Sequence, residues 1–480
     1  MRFSREVRTL ASVLFVMDEI MFLPIVIYVP SLAFNQVTGI DVHLIGSIVC
    51  IICVFYTVLG GLKAVVYTDT WQIIVMFLSV IVIVLLGTIS VGGPSTVWDR
   101  SHEGNRIIFD NFSTSMYERH TVFAVITGGI IYWTAFNGVN QTMVQRYLSL
   151  PTERDSRISV FIFTAGVSAF VSLCVYSGLL VYATYFKCDP LSSGRIHRED
   201  QLLPLYVMET VGHLRGVPGL FIAGVFGAAL SSLSVILNST SAVVLEDFVK
   251  GCLRIQIQER TATYLVKIVV LTLGAMSIGF LFIVEHMGGI LVGATSLSAI
   301  AASTTFGVFT LGMIIPWSNS VGAIVGAIAG AIMSSTIAFG SQYSIATGVI
   351  VIQKLPVSTD RCFEDYGIHA NVTTIEYPDE SHIFPLFRLS YHWITPIGIL
   401  TTVVVGTIAS FIVGKTDLKR LDPEVISPAS QWLLPPEAQR YAGSASRRVR
   451  DRGREDDRRL MQEITVSNVN LRETPESNTR

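Results

Sequence analysis

About ten stretches of roughly 20 mostly apolar residues, the length a helix needs to cross a bilayer, follow one another along this chain. They lie near residues 9–33, 43–63, 72–93, 121–141, 158–183, 216–242, 264–284, 287–313, 320–340 and 394–414. Peptide groups in lipid have no water to bond, so each run must satisfy its own backbone as a helix. The expectation is an all-α integral membrane protein. The charge content agrees: 15% of the 480 residues are charged and 51% hydrophobic, where a soluble domain carries about 25% charged residues. A net charge of −2 leaves no basic field to draw nucleic acid.

The start, MRFSREVR, is basic. The run behind it is long, is interrupted by Asp18 and Glu19, and lacks a small-residue cleavage pattern. It reads as the end of a loop leading into a spanning helix rather than as a signal peptide. With the N terminus placed inside, Arg2, Arg5, Arg8, Lys63, Arg146, Arg154, Arg157, Lys250, Arg254, Arg260, Lys415, Lys419 and Arg420 all fall on the cytoplasmic side, where Lys and Arg are favoured. The long polar loops 94–120, 185–215 and 341–391 then lie outside. Two glycosylation acceptors, Asn111 and Asn371, fall on that outer side. Matching triplets at Asn140 and Asn238 fall at inner helix ends and are expected to be unmodified. Residues 415–480 are charged and poor in aromatics, hence a cytoplasmic, largely disordered tail. Cys188 and Cys362 sit in two outer loops and form a candidate disulfide. No Cys/His spacing resembles a zinc site, and no nucleophile–base arrangement appears. An enzyme is not expected.

The chemistry is in the polar residues inside the spans. In FGAALSSLSVILNSTSAVVLEDF, from Phe226 to Phe248, hydroxyls crowd one helix. Single serines there usually bond back to a carbonyl or let helices pack. Clustered, the Ser231 and Ser232 hydroxyls with the Ala228 carbonyl present three oxygens to one small hard cation. Gly224, Gly227, Ala228 and Ala229 would admit a second helix beside them. In GGLKAVVYTDTWQ, Gly60 to Gln72, Asp69 falls near the start of a helix. It either caps that helix or lies with Gln72, one turn on, along an ion path. Asp18 and Glu19 are costly adjacent acids within a span. They serve either a function or a buried hydrogen bond. Trp133 and Phe136 are packing aromatics or a gate to a substrate cavity. Glu285 and His286 read as solvated turn residues.

Taken in order, GGLKAVVYTDTWQ, NQTMVQRYLS from Asn140, LPLYVMETVGHLRGVPGLFIAGVFGAALSSLSVILNST and FTLGMIIPWSNSVGAIVGAIAG from Phe309 resemble the sodium/solute symporter family over about residues 1–420. YVPSLAFNQVTG and LSYHWITPIGILTTVVVG look most like its sodium-coupled monocarboxylate and multivitamin branch. The resemblance implies a LeuT-like fold of inverted five-helix repeats, with ion and solute held at mid-depth by broken helices. It implies sodium-coupled symport of a small organic anion, a monocarboxylate or a vitamin such as biotin or pantothenate, across the plasma membrane by alternating access. Sodium is then the coupling ion, and no other cofactor is expected. The main sodium site falls on Ala228, Ser231 and Ser232. Asp69 and Gln72 fall on coupling or a second sodium site, and Phe136 where relatives often carry a gating Tyr. Relatives also carry further helices ahead of the segment matching Met1–Arg8, including the first two core helices. The expected organisation is therefore 1–93 as the last three helices of repeat one, 121–313 as the five of repeat two, and 314–414 as two peripheral helices. On that expectation the chain alone is inactive. The alternatives are a non-transporting partner of full-length relatives and, less supported, an ion channel.

Overall fold

The computed structural model describes residues 2–284, 290–369 and 379–438. The first helix, α1 (Arg5–Thr38), ends on Gly39 in the left-handed region, with its N–H on the Asn35 carbonyl. Next, α2 (Val42–Val91) is two spans. Its backbone leaves helical geometry at Gly61 (φ 55°, ψ −156°), separating α2a (Val42–Gly61) from α2b (Ala64–Val91). A side chain at Gly61 would be strained. Helix α3 (Pro94–Glu103) adds order to a stretch expected to be loop. A bend of 52° separates α4 (Val122–Gly138) from α5 (Gln141–Leu148), whose first turn is capped by Asn140 Oδ1 on the Thr142 N–H (2.8 Å).

Helices α6 (Glu153–Thr184), α7 (Leu202–Val211) and α8 (Val217–Val243) follow. A π-helical segment, Val244–Cys252, continues α8. The remainder are α9 (Glu259–Val284), α10 (Ile290–Ile314), α11 (Ser320–Ala346), the short α12 (Cys362–Tyr366) and α13 (Ile394–Val413). Among the described residues, each expected apolar run is mainly helical, with 121–141 interrupted between α4 and α5. Among the described residues, eight helices are long and apolar enough to cross a membrane, nine if the bent α4–α5 pair is one span.

Burial fixes which helices meet. Leu23 and Ile27 of α1, Cys50 and Cys53 of α2a, Leu233 and Leu237 of α8, and Leu273 and Leu281 of α9 form one buried cluster. The Cys50 and Cys53 thiols pack there as small apolar groups. Separately, α11 and α13 meet through small residues. A side chain at Gly326 would strike the Thr402 carbonyl, and one at Gly322 the Ser410 hydroxyl. Glycine here lets two backbones touch, the usual basis of helix association in lipid.

Arg2 and residues 415–438 gather at one end of the bundle. Arg2 donates to the carbonyls of Gly312 (3.1 Å), Pro316 (2.7 Å) and Ser318 (2.7 Å), binding the open carbonyls beyond α10. Residues 415–438, expected to be disordered, instead form 3₁₀ turns with a small core of Leu421, Ile426, Leu434 and Ala438. Thr416 and Ser427 tie them by backbone bonds to Trp317 and Met313. Four apolar side chains within 18 residues were enough to order a stretch that its charge had marked as solvated. The rest of the tail, Asn371, Glu285 and His286 lie outside the described residues.

The opposite end is built from loops. Cys188 and Cys362 form a disulfide. Backbone bonds from Asp189 to Ser358 and from Arg361 to Lys187 run alongside it. Arg198 reaches down to the buried Tyr28 hydroxyl on α1 (2.7 Å). Asn111 is half-buried in this region, its amide on Glu118 and its Oδ1 accepting from Ser113 N–H.

Candidate functional site

The polar residues of α2b and α8 face one another because glycines allow it. Side chains at Gly224 and Gly227 would meet Ser79 at 2.6 Å and the Gln72 carbonyl at 3.2 Å. The two helices therefore pack almost backbone to backbone along this seam, bringing Asp69 and Gln72 opposite the α8 serines.

Asp69 does not cap a helix. Helix α2b starts at Ala64, a turn earlier than the sequence suggests, so Asp69 lies inside it, 6% exposed. Its Oδ2 accepts from Arg146 Nη2 on α5 at 2.9 Å. Its Oδ1 is buried with no hydrogen-bond partner, and so is Gln72 Oε1. Ser231 and Ser234 lie beside the Asp69 carboxylate. Ser234 and Gln72 lie beside the Tyr56 hydroxyl of α2a, whose own hydrogen goes to the Leu230 carbonyl (3.1 Å).

Counting hydrogens identifies what this seam lacks. The Ser234 hydroxyl donates back to the Ser231 carbonyl (3.0 Å), so its oxygen faces Asp69 with lone pairs. Asp69 Oδ1 and Gln72 Oε1 are acceptors only. The Ser231 hydroxyl beside Asp69 has a hydrogen of its own to give that carboxylate. The lone pairs that remain form an all-oxygen set of the kind a small hard cation takes. With one carboxylate oxygen on Arg146, the pair is close to neutral, so the site attracts a cation without trapping it.

The residues singled out in the sequence are partly brought together. Ser231, half-buried, is at the seam. Ala228 is half-buried and Ser232 exposed, and neither acts on Asp69. Ser234, which the sequence leaves to packing, both bonds back along α8 and faces Asp69. Sequence reasoning missed Arg146, Tyr56 and the Leu230 carbonyl. Arg146 counts there only as a cytoplasmic charge, although it sits within the NQTMVQRYLS motif. Tyr56 is hidden in an apolar run. Trp133 and Phe136 are 46% and 39% exposed. They form one aromatic group with Tyr132, centroids 6.1–6.3 Å apart.

A helical bundle with a span broken between α4 and α5, and unpartnered oxygens on the helices beside it, defines a membrane transporter of the ion-coupled kind. The sodium:solute symporter family model matches residues 2–330. The chain is 34% identical over 432 residues to sodium-coupled monocarboxylate transporter 2 of Mus musculus, spanning 89% of this chain and 69% of that protein. It is 33% identical over 449 residues to sodium-coupled monocarboxylate transporter 1 of Homo sapiens, 90% of this chain and 72% of that one. The chain belongs to the sodium:solute symporter family. Among solved structures, a Na+-coupled sialic acid symporter in a substrate-bound outward-open state superposes with a TM-score of 0.67 at 19% identity, covering 86% of this chain and 76% of that one. The fold is thus the LeuT-like one, and the protein is a multi-pass sodium-coupled solute transporter, not an enzyme.

Proposed function

We infer that the protein carries a small organic anion together with sodium across the plasma membrane by alternating access, with both chain ends cytoplasmic. A monocarboxylate is the solute class named for the relatives above, and carboxylate vitamins such as biotin and pantothenate fit the same chemistry. The single observation that carries the coupling is the pair of buried oxygens without donors, Asp69 Oδ1 and Gln72 Oε1, facing α8. Sodium enters there as cargo, with Ser231 and Ser234 oxygens completing its shell. The main sodium site implied by the family resemblance is assigned to the Ala228 carbonyl with the Ser231 and Ser232 hydroxyls, and Asp69 with Gln72 to coupling or a second sodium. Sodium drawn into the α2b–α8 seam holds these helices in one relation and so favours one of the two access states. Trp133 and Phe136 are assigned as the gate over the solute, by ring bulk alone at Phe136.

Arg146 is taken up by Asp69 and is not free to bind a carboxylate solute. The open peptide groups of the α4–α5 break supply the positive field instead. The test is uptake of labelled lactate in cells producing the chain, with surface amount measured. Uptake is expected to vanish when choline replaces sodium. Asp69→Asn is expected to raise the sodium concentration for half-maximal uptake by about tenfold, the loss of about 1.4 kcal/mol of binding. Uptake that is indifferent to sodium would refute the coupling.

A further inference from the structure

The loops at the disulfide end carry several cations that acids neutralise. Arg195 pairs with Glu209, Arg361 with Glu364 and Arg388 with Glu380. Arg198 differs. Its neighbour Glu199 is taken by Lys354, and Arg198 has no acidic partner among the described residues. The turn that holds it is braced by other groups. The N–H groups of His197 and Arg198 donate to Gln201 Oε1 at 2.9 and 3.2 Å, and Ile196 just before them is buried. Glu199 and Lys354 tie this loop to the one that the Cys188–Cys362 bridge also joins to it. The loop thus keeps its shape without the Arg198 side chain.

That side chain crosses to α1 instead. Its Nη1 donates to the Tyr28 hydroxyl at 2.7 Å. Tyr28 lies ten residues before the end of α1 at Thr38, about 15 Å down the helix at 1.5 Å per residue. It is 2% exposed and belongs to the buried cluster of α1, α2a, α8 and α9, so its oxygen is fixed in place. Donors outnumber acceptors at this contact. A guanidinium has five N–H groups and no acceptor, and here Tyr28 takes one of them. The Tyr28 oxygen is used as an acceptor, and its own hydrogen finds no acceptor among the described residues. Arg198 is exposed, so its remaining N–H groups open to water. An unneutralised guanidinium with a phenol hydrogen beside it matches an anion with two acceptor oxygens. The fork of a guanidinium fits a carboxylate in two parallel bonds.

We propose that Arg198 and Tyr28 form an outer docking site for the carboxylate of the solute. The carboxylate accepts from the free guanidinium N–H groups and from the Tyr28 hydroxyl. Tyr28 also aims the guanidinium, which on an unanchored loop would spread over many rotamers. The site uses no residue of the α4–α5 break or of the α2b–α8 seam. It gathers the anion at the outer end without needing sodium, and sodium-coupled transport then carries the anion inward. The inference rests on the transport reading for the identity of the anion as solute, but not for carboxylate binding itself.

The experiment has two arms. In the first, the purified chain in detergent, free of phospholipid and sodium, is treated with phenylglyoxal, which modifies exposed guanidinium groups. Peptide masses then report the rate at Arg198. Choline lactate at about ten times its dissociation constant is expected to slow that rate about tenfold, by occupancy alone. Neutral lactamide and choline chloride are expected to leave it unchanged, and equal slowing by either overturns a carboxylate site. In the second arm, labelled lactate uptake is measured in cells at matched surface amounts. Arg198→Gln is expected to raise the lactate concentration for half-maximal uptake about tenfold, with the maximal rate and the half-saturating sodium little changed. Arg198→Lys keeps the charge but loses the fork, and is expected to raise it about threefold. Tyr28→Phe is expected to fall between wild type and Arg198→Gln. A lower maximal rate at unchanged half-saturation in Arg198→Gln would mark a loop brace only and overturns the proposal. So does sodium-dependent uptake by a chain whose Arg198 lactate does not protect. Protection at Arg198 without any sodium-dependent uptake supports the site and rejects the transport reading instead.

Discussion

Asp69 and Glu19 are both carboxyls within spanning helices, and they are almost equally hidden, 6% and 7% exposed. Their neighbours differ. Asp69 has a guanidinium on one oxygen and an unpartnered second oxygen. Glu19 has the Thr142 hydroxyl, which donates to it at 3.3 Å. Burial alone therefore does not say how a membrane acid is used. The neighbours do: Asp69 shares its charge with a guanidinium, while Glu19 faces a hydroxyl and a second acid, Asp18.

The comparison breaks most sharply at Arg146. Removing it leaves Asp69 buried without its cation, and Arg146→Ala is expected to cost less than the roughly 3–5 kcal/mol of a fully buried pair, because Arg146 is 44% exposed. The loss should show as a lower unfolding temperature in detergent. Asp69→Asn in the same chain should recover most of the loss, because the stranded charge is gone. Next in size is the seam. Gly224→Val would press into Ser79 and is expected to cost about 1–3 kcal/mol by overpacking. It should also weaken sodium-dependent stabilisation, which the same melts with and without sodium measure. Sodium at 100 times its dissociation constant is expected to stabilise wild type by about 2.7 kcal/mol, and Asp69→Asn should lose much of this. Smallest is Glu19→Gln. Gln keeps an acceptor for the Thr142 hydroxyl and is expected to change stability by about 1 kcal/mol or less. If it proved as damaging as Arg146→Ala, Glu19 would be a structural ion and the contrast would collapse.

The fold was legible because lipid imposes a length and a composition on every span, and each described apolar run is mainly helical here. The seam was half legible. Asp69, Gln72 and Ser231 stand out as polar residues in apolar runs. Their partners do not, since Tyr56 is ordinary in a membrane helix and Arg146 looks like any cytoplasmic charge. The α4–α5 break was unread too: Gly138 to Asn140 offers only a weak turn signal within a run that hydropathy treats as continuous. Glu19 was flagged, and its hydrogen bond from Thr142 of α5, 123 residues on, has no local pattern to report it. The order in residues 415–438 depends on contacts with α10, and no local pattern reports those.

The π-helical stretch that continues α8 has a mechanical consequence. Its wider winding places Asp247 where both Arg8 and Ser12 of α1 grip it. Were the stretch to tighten by one residue into ordinary α-helix, everything beyond it would turn by about 100°. Asp247 would then be wrenched off α1, as a key leaves a lock when the barrel rotates. The helix carrying the serines is thus tied at its end to α1 through Arg8 and Ser12, and a change of winding in the π segment would carry that tie round with it.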